Sequence, residues 1–262
     1  MGLRDLTPAE LNSFLTDVHT GVDIPKHLEI QFQDVTFGTL KFAELYFDCM
    51  KATGTETAAW KEFRRMLRAY FLARYFDAAA GAEGGVAECG VMLGFSSLMM
   101  ARMASSRRPG FSGEDFHLVD SFEGLSEPRQ EDAIDFRQLP SGEVEPVYPH
   151  KKGFFSSPLD IVKSSFTDFP ALSFHKGWIP EILSSLPERK WKFVHIDVDL
   201  FEPTRHCLEY FLPRMEKGGC IINDDFDSPL FPGGGMGWFQ VMNERNLHYA
   251  VLDSGQAVYI HD

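Results

Sequence analysis

Only four of the 262 residues are cysteine (Cys49, Cys89, Cys207 and Cys220), and no two of them form a CxxC pair. That scatter excludes zinc-ribbon and thioredoxin-type motifs and suits a reducing, cytoplasmic setting. Positive charge is also scarce. The 25 Lys and Arg face 38 Asp and Glu, giving a formal charge of −13. A field of that sign argues against a nucleic-acid backbone or an anionic membrane surface as partner and sits better with a neutral or cationic small molecule. No apolar run approaches the ~20 residues that span a bilayer. The stretch MGLRDLTPAE has neither the basic segment nor the apolar core of a signal peptide, and Leu6 stands where a myristoylation motif needs Ser or Thr. Repeats and low-complexity tracts are absent. The expectation is a soluble, cytoplasmic protein.

Phenylalanine, by contrast, is abundant: 24 residues, in a chain that is 44% apolar. That is enough for one sizeable core and favours deep aromatic packing or an aromatic-lined pocket. From about residue 86, short apolar runs alternate with helical segments. Val86–Val91, Phe116–Phe122, Leu172–Trp178, Phe193–Leu200 and Cys220–Asp224 read as strands. Tyr249–Asp253 and Gln256–His261, parted by Ser254-Gly255, read as a hairpin. Helices are expected at Ser96–Ser105, Pro158–Ser165, Ile179–Leu186, Pro203–Met215 and Gly237–Glu244. The alternation predicts an α/β, Rossmann-like doubly wound sheet. The terminal hairpin would add an antiparallel strand and bring the count to seven. Residues 1–85 differ: Phe37–Met50 and Ala58–Ala80 look helical, the latter with Trp60, Phe63, Leu67, Tyr70 and Phe71 near one face. We therefore expect a helical cap or lid over residues 1–85 and a catalytic domain over 86–262. A purely structural cap fits the first part equally well.

The segment Glu88-Cys89-Gly90-Val91-Met92-Leu93-Gly94-Phe95-Ser96-Ser97 reads as strand, turn and helix start. Gly90 frees the turn of Cβ interference, while Gly94 and Ser96 open a helix whose N–H groups suit a polar ligand. An acid two residues before the first glycine is more typical of S-adenosylmethionine sites than of dinucleotide sites. The E-x-G-x-G-x-G spacing is kept except that Met92 replaces the middle glycine, and the GxGxxG of a nicotinamide enzyme is missing. A plain tight connection is the alternative reading. Asp120, 32 residues after Glu88, ends the second strand where a carboxylate can accept from both ribose hydroxyls, or simply cap the next element. Val91, Phe95, Ser121, Gly177 and Trp178 complete the expected cofactor set, Trp178 being placed either beside an adenine or in the core.

Two further segments end in acids: Phe193–Asp199 and Gly218–Asp225. In the methyltransferase strand order Asp197, Asp224 and Asp225 converge at the carboxyl end of the sheet. Three carboxylates gathered there repel one another unless a cation lies among them. All-oxygen ligands favour Mg²⁺, with Ca²⁺ and Mn²⁺ as the other hard candidates. Two of the three could instead be helix caps. Asp199 reads as the cap of a helix starting at Pro203, and His195 as a satisfied core residue. The glycine run Phe231–Gly237 suits a closing lid or a flexible connection. The stretch 126–156 could frame an acceptor pocket.

Taken together, AECGVMLGFSS (87–97), DSFEGL (120–125), HKGWIPEIL (175–183), HIDVDLFEPT (195–204) and GGCIINDDF (218–226) resemble the macrocin O-methyltransferase (TylF-type) family. The resemblance implies a class I methyltransferase fold, S-adenosylmethionine as cofactor, and Mg²⁺ at Asp197, Asp224 and Asp225. It implies Asp197 as proton acceptor, a small-molecule hydroxyl acceptor (sugar, phenol or other diol) of secondary metabolism, and a homodimer. A lysine base is not supported, since Leu200 stands at that position. Met92-Leu93-Gly94-Phe95, Phe201 and Pro203 depart from the family's usual Trp-Arg-Gly-Gly, Tyr and Ser, which weakens any transfer of substrate identity. A metal-independent N- or O-methyltransferase and an NAD(P)-binding Rossmann protein are the competing readings.

Overall fold

The computed structural model describes Phe32, residues 34–55 and residues 63–262. Trp60 and the first five residues of the expected Ala58–Ala80 helix lie outside the described residues.

A seven-stranded sheet forms the centre, in the order β10-β11-β9-β8-β3-β4-β7. Its strands are β3 (Gly85–Cys89), β4 (Phe116–Asp120), β7 (Ser173–Lys176), β8 (Trp191–Ile196), β9 (Met215–Asn223), β10 (Ala250–Val251) and β11 (Ala257–Ile260). The first five run parallel, and β11 is antiparallel to both β9 and β10. The doubly wound sheet with its terminal hairpin is thus as expected. β3 is buried at all five positions, as a central parallel strand covered on both faces must be. Two small antiparallel ribbons lie outside the sheet: β1 (Thr36–Phe37) with β2 (Leu40–Lys41), and β5 (Asp135–Gln138) with β6 (Val144–Val147).

Strand alternation sends side chains to two cores. Phe193 and Ile222 point to the face covered by α1 (Phe42–Thr53), α2 (Phe63–Ala78) and α3 (Phe95–Arg107), where Phe42, Met66 and Leu98 join them. Val194 and Ile221 point to the opposite face, covered by α5 (Phe201–Phe211) and α6 (Pro232–Glu244), beside Cys207 and Trp238. The described part of the N-terminal region therefore shares one core with the sheet. On α2 the buried face is Met66, Ala69, Leu72, Ala73 and Phe76, one helical stripe, while Leu67, Tyr70 and Phe71 flank it half-buried.

Several expected elements differ. Ile179–Leu186 forms only a 3-10 turn at Glu181–Ser185. The helix expected from Pro203 begins two residues earlier and stops at Phe211, because Met215 already belongs to β9. The helix expected at Pro158–Ser165 is α4 (Leu159–Ser164). The glycine run is neither lid nor flexible connection: α6 starts at Pro232, and Gly233, Gly234 and Gly235 are buried in its first turns. A Cβ on Gly233 would lie 1.8 Å from Asp132 Oδ1, and one on Gly235 2.1 Å from the Phe226 carbonyl oxygen. The glycines are there for close approach.

Candidate active site

β3, β8 and β9 are neighbours, and chain order reverses direction across β3 and β8. Crevices at such points, beyond the carboxyl ends of the strands, are where open α/β sheets bind ligands. A cavity of about 460 Å³ occupies that place. It is lined by Glu88, Gly90, Val91, Phe95 and Ser96 from the β3–α3 turn, Asp120 and Ser121 after β4, Gly177 and Trp178 after β7, and Asp197, Asp199 and Asp225. Of the expected cofactor residues only Gly94 stays off the wall. It caps α3 against Phe166, whose ring would lie 2.7 Å from an added Cβ.

The turn is shaped by its neighbours. Gly90 has φ 86°, and a Cβ there would fall 1.7 Å from the Asp197 carbonyl oxygen, so tight contact with the end of β8 demands glycine, rather than ligand approach alone. Met92, standing where the motif usually has its middle glycine, adopts φ 48°, a left-handed conformation that costs a side-chain-bearing residue roughly 1–2 kcal/mol. Asp120 holds the turn closed: its Oδ2 accepts the N–H groups of Val91 (2.6 Å) and Met92 (3.2 Å), and its Oδ1 that of Phe122 (2.6 Å). Glu88 is sunk beneath it, accepting from Ser97 Oγ and paired with His195 Nδ1 at 2.8 Å.

The acids gather as the strand order requires, with one rearrangement. β8 ends at Ile196, so Asp197, Val198 and Asp199 leave strand geometry, and Asp199 turns through φ 61°. That brings carboxylate oxygens of Asp197, Asp199 and Asp225 within 4.8 Å of one another. Asp199 is not the cap of α5, because the Phe201 N–H is taken by Asp132 Oδ1 at 2.8 Å. Asp224 points the other way. Its Oδ2 is 2.9 Å from Arg68 Nη1, and its Oδ1 accepts from Gln256 Nε2 at 2.7 Å. Arg68 also reaches to 3.8 Å from Asp225 Oδ1.

Burial pushes the Asp197 and Asp199 carboxyls well above the usual range, and the neighbouring charges of Asp224 and Asp225 push in the same direction. Asp225 is raised by burial and then by Asp224. For Asp224 burial acts in the same sense, yet Arg68 and His195 together bring it below the ordinary value. Burial opposes protonation of His195, but its hydrogen bond to Glu88 and the nearby Asp224 carboxylate lift it to about 10. The site is thus a cluster of acids with too little positive charge, and Asp225 Oδ2 is buried without a hydrogen-bond partner.

An orphaned buried carboxylate oxygen facing two more carboxylates fits a hard divalent cation: an octahedral Mg²⁺ with ~2.1 Å bonds spans about 4 Å between opposite oxygens. The residues suit the group.

Beside the acids, α2 contributes Arg64, Arg65 and Arg68 to the wall, and Phe155, Leu230 and Phe231 add apolar surface. Arg68 and its neighbours escape the sequence reading, although their i, i+4 spacing beside an apolar stripe was visible. Ser126 and Phe155 place the 126–156 connection at the cavity, as expected.

The family model for macrocin O-methyltransferases (TylF) matches residues 74–249. This chain belongs to that family. Among curated proteins this chain is similar to the 8-demethyl-8-(2,3-dimethoxy-α-L-rhamnosyl)-tetracenomycin-C 4'-O-methyltransferase of Streptomyces olivaceus, 30% identical over 152 residues, 56% of this chain. The match spans about half (55%) of that relative's length. Among solved structures the O-methyltransferase NovP superposes with a TM-score of 0.63 at 17% identity, over 83% of this chain and 98% of that one. CalS11, described as a TDP-rhamnose 3'-O-methyltransferase, gives 0.54 at 17% identity, over 97% and 95%. These two likenesses establish the macrocin-family chain's fold as that of O-methyltransferases. Among the described residues no helix is long and apolar enough to cross a membrane.

Proposed function

We propose that this chain transfers a methyl group from S-adenosylmethionine to a sugar hydroxyl of a small secondary metabolite, with a divalent cation, Mg²⁺ foremost, at the acid cluster. The carrying observation is the convergence of Asp197, Asp199 and Asp225 on the cavity that the Glu88–Ser96 turn also lines. Family membership supports the methyl donor, and the rhamnosyl acceptor named for the 30%-identical relative supports a sugar.

Asp197 and Asp225 would hold the cation, and the third ligand place would fall to Asp199 on geometry or to Asp224 if Arg68 withdrew. The bound cation would supply a lowered hydroxyl pKa and a fixed acceptor orientation. Asp197 takes the acceptor's proton, since it lines the cavity and stands in the acid cluster. S-adenosylmethionine, when bound, would supply an activated methyl group to the acceptor oxygen, with the C–S electron pair going to sulfur. Asp120 and Gly90 keep the turn after β3 in shape. Asp199 is a second reading for the base, because it lines the same cavity in the same cluster. We also take the protein to be a cytoplasmic homodimer, which light scattering at twice the monomer mass would support.

The experiment is turnover of a rhamnosylated aglycone with S-adenosylmethionine, with and without EDTA, for wild type, Asp197→Asn, Asp199→Asn and Asp224→Asn, alongside Mn²⁺ binding. Full activity in EDTA would favour the metal-independent alternative. Loss of turnover in Asp199→Asn with Mn²⁺ binding retained would move the base to Asp199. NADH binding in place of S-adenosylmethionine would overturn the methyltransferase reading.

A further inference from the structure

A chain of buried polar side chains runs beneath the cavity floor, crossing three adjacent strands. Glu88 on β3 lies opposite His195 on β8 in register, and both point to the α2–α3 face. Ser97 at the start of α3 donates to Glu88. His195 Nδ1 meets Glu88 Oε1 at 2.8 Å, while its Nε2, buried without a hydrogen-bond partner, stands at ion-pair distance, 3.6 Å, from Asp224 Oδ1. Asp224 is then held by Gln256 and by Arg68. Glu88, His195, Gln256 and Asp224 are all buried, none more than 7% exposed.

Burying such a string of charges and amides is costly, and apolar residues of the same volume would stabilise the fold as well or better. What the string provides is geometry. Asp224 and Asp225 are consecutive, so immobilising the Asp224 carboxylate on one side fixes the direction in which Asp225 leaves the backbone on the other. The Asp224 N–H is itself tied to the Ile196 carbonyl at 2.9 Å, next to Asp197.

We infer that His195 is a positioning residue: its Nε2 edge, facing Asp224, sets where the neighbouring acids Asp225 and Asp197 stand. This rests on the proposed cation site. His195 touches neither the donor nor the acceptor, so the inference concerns placement of the acids and not proton transfer.

Two substitutions separate the two edges of the ring. His195→Asn keeps a polar group at the Nδ1 place only, and His195→Gln reaches the Nε2 place. The full chain is measured without turnover: Mn²⁺ affinity by electron paramagnetic resonance, S-adenosylmethionine affinity by calorimetry, and folding by circular dichroism. We expect His195→Asn to weaken Mn²⁺ by about tenfold or more, while S-adenosylmethionine affinity stays within about threefold and His195→Gln stays within about threefold for both. Parallel loss of both ligands, a greater Mn²⁺ loss in His195→Gln than in His195→Asn, or wild-type Mn²⁺ affinity in both variants overturns the inference. If His195→Asn does not fold, His195→Gln decides alone: retained Mn²⁺ affinity supports the Nε2 route, and Mn²⁺ loss with S-adenosylmethionine binding intact overturns it. A wild-type chain that binds no Mn²⁺ overturns the cation site and this inference together.

Discussion

Arg68 Nη1 stands 2.9 Å from Asp224 Oδ2, and Arg68 Nη2 donates to the Asp224 carbonyl oxygen at 2.5 Å. One guanidinium on α2 therefore grips both the side chain and the main chain at the end of β9. It supplies positive charge to a cluster in which four carboxylates crowd together, and it keeps Asp224 ionised where burial alone would protonate it.

Arg68→Met keeps most of the side-chain volume and removes that charge. Leaving Asp224 buried without its partner should cost about 3–5 kcal/mol, seen as a lowered melting temperature. Because a cation bound only by the folded state stabilises it, added Mg²⁺ should raise the melting temperature of the variant. A melting temperature equal to wild type would show the ion pair to be of little consequence.

Gly90→Ala places a methyl 1.7 Å from the Asp197 carbonyl oxygen in a left-handed conformation. Either β3 or β8 must yield, so the chain should lose at least about 2 kcal/mol and Asp197 should be displaced. Denaturant unfolding and turnover test it together. A variant with wild-type midpoint and rate would contradict the packing described.

Met92→Gly works in the opposite sense. Relief of roughly 1–2 kcal/mol of left-handed strain, less roughly 0.4–1 kcal/mol for the freer unfolded chain, leaves a net gain of between about zero and about 1.6 kcal/mol. Thermal unfolding should register it as a small rise. A fall would mean that the Met92 side chain contributes more by contact at the cavity than its backbone costs.

His117 lies between His175 Nε2 at 3.0 Å and Arg189 Nη1 at 3.3 Å, with Arg189 paired to Asp115. Burial, followed by the charges of His175 and Arg189, lowers its pKa from 6.5 to about 4. Between those values the unfolded chain binds a proton that the folded chain refuses, so stability rises with pH across the window. The contribution is complete above pH 6.5 and is lost as pH falls toward 4. Subtracting the pH profile of His117→Gln from that of wild type should isolate this slope; identical profiles would remove His117 as its source.

Much of the architecture was legible in the chain itself. Short apolar runs marked the strands, and Ser254-Gly255 marked the terminal hairpin, because apolar clustering and turn chemistry are local properties. The turn after β3 was legible for the same reason: Glu88, Gly90 and Asp120 sit at or just past strand ends. The expected face of α2 was less accurate, since several stripes on an aromatic-rich helix can be buried and only the sheet beneath it selects one. The glycine run after Phe231 misled because glycine permits both a loose loop and the closest helix packing, and the choice between them lies in Asp132 and Phe226, outside the run.

By itself the amino-acid sequence determined a parallel sheet with an antiparallel end and a set of acids bound for its carboxyl edge. Tertiary structure alone decided which acids face one another. Asp199 joins Asp197 and Asp225 because the chain leaves β8 through a left-handed residue, and Asp224 turns away because Arg68, 156 residues earlier, meets it. Local pattern sets which residues reach a strand end. The direction of a charged side chain there is set by the counter-charge that the fold brings to it.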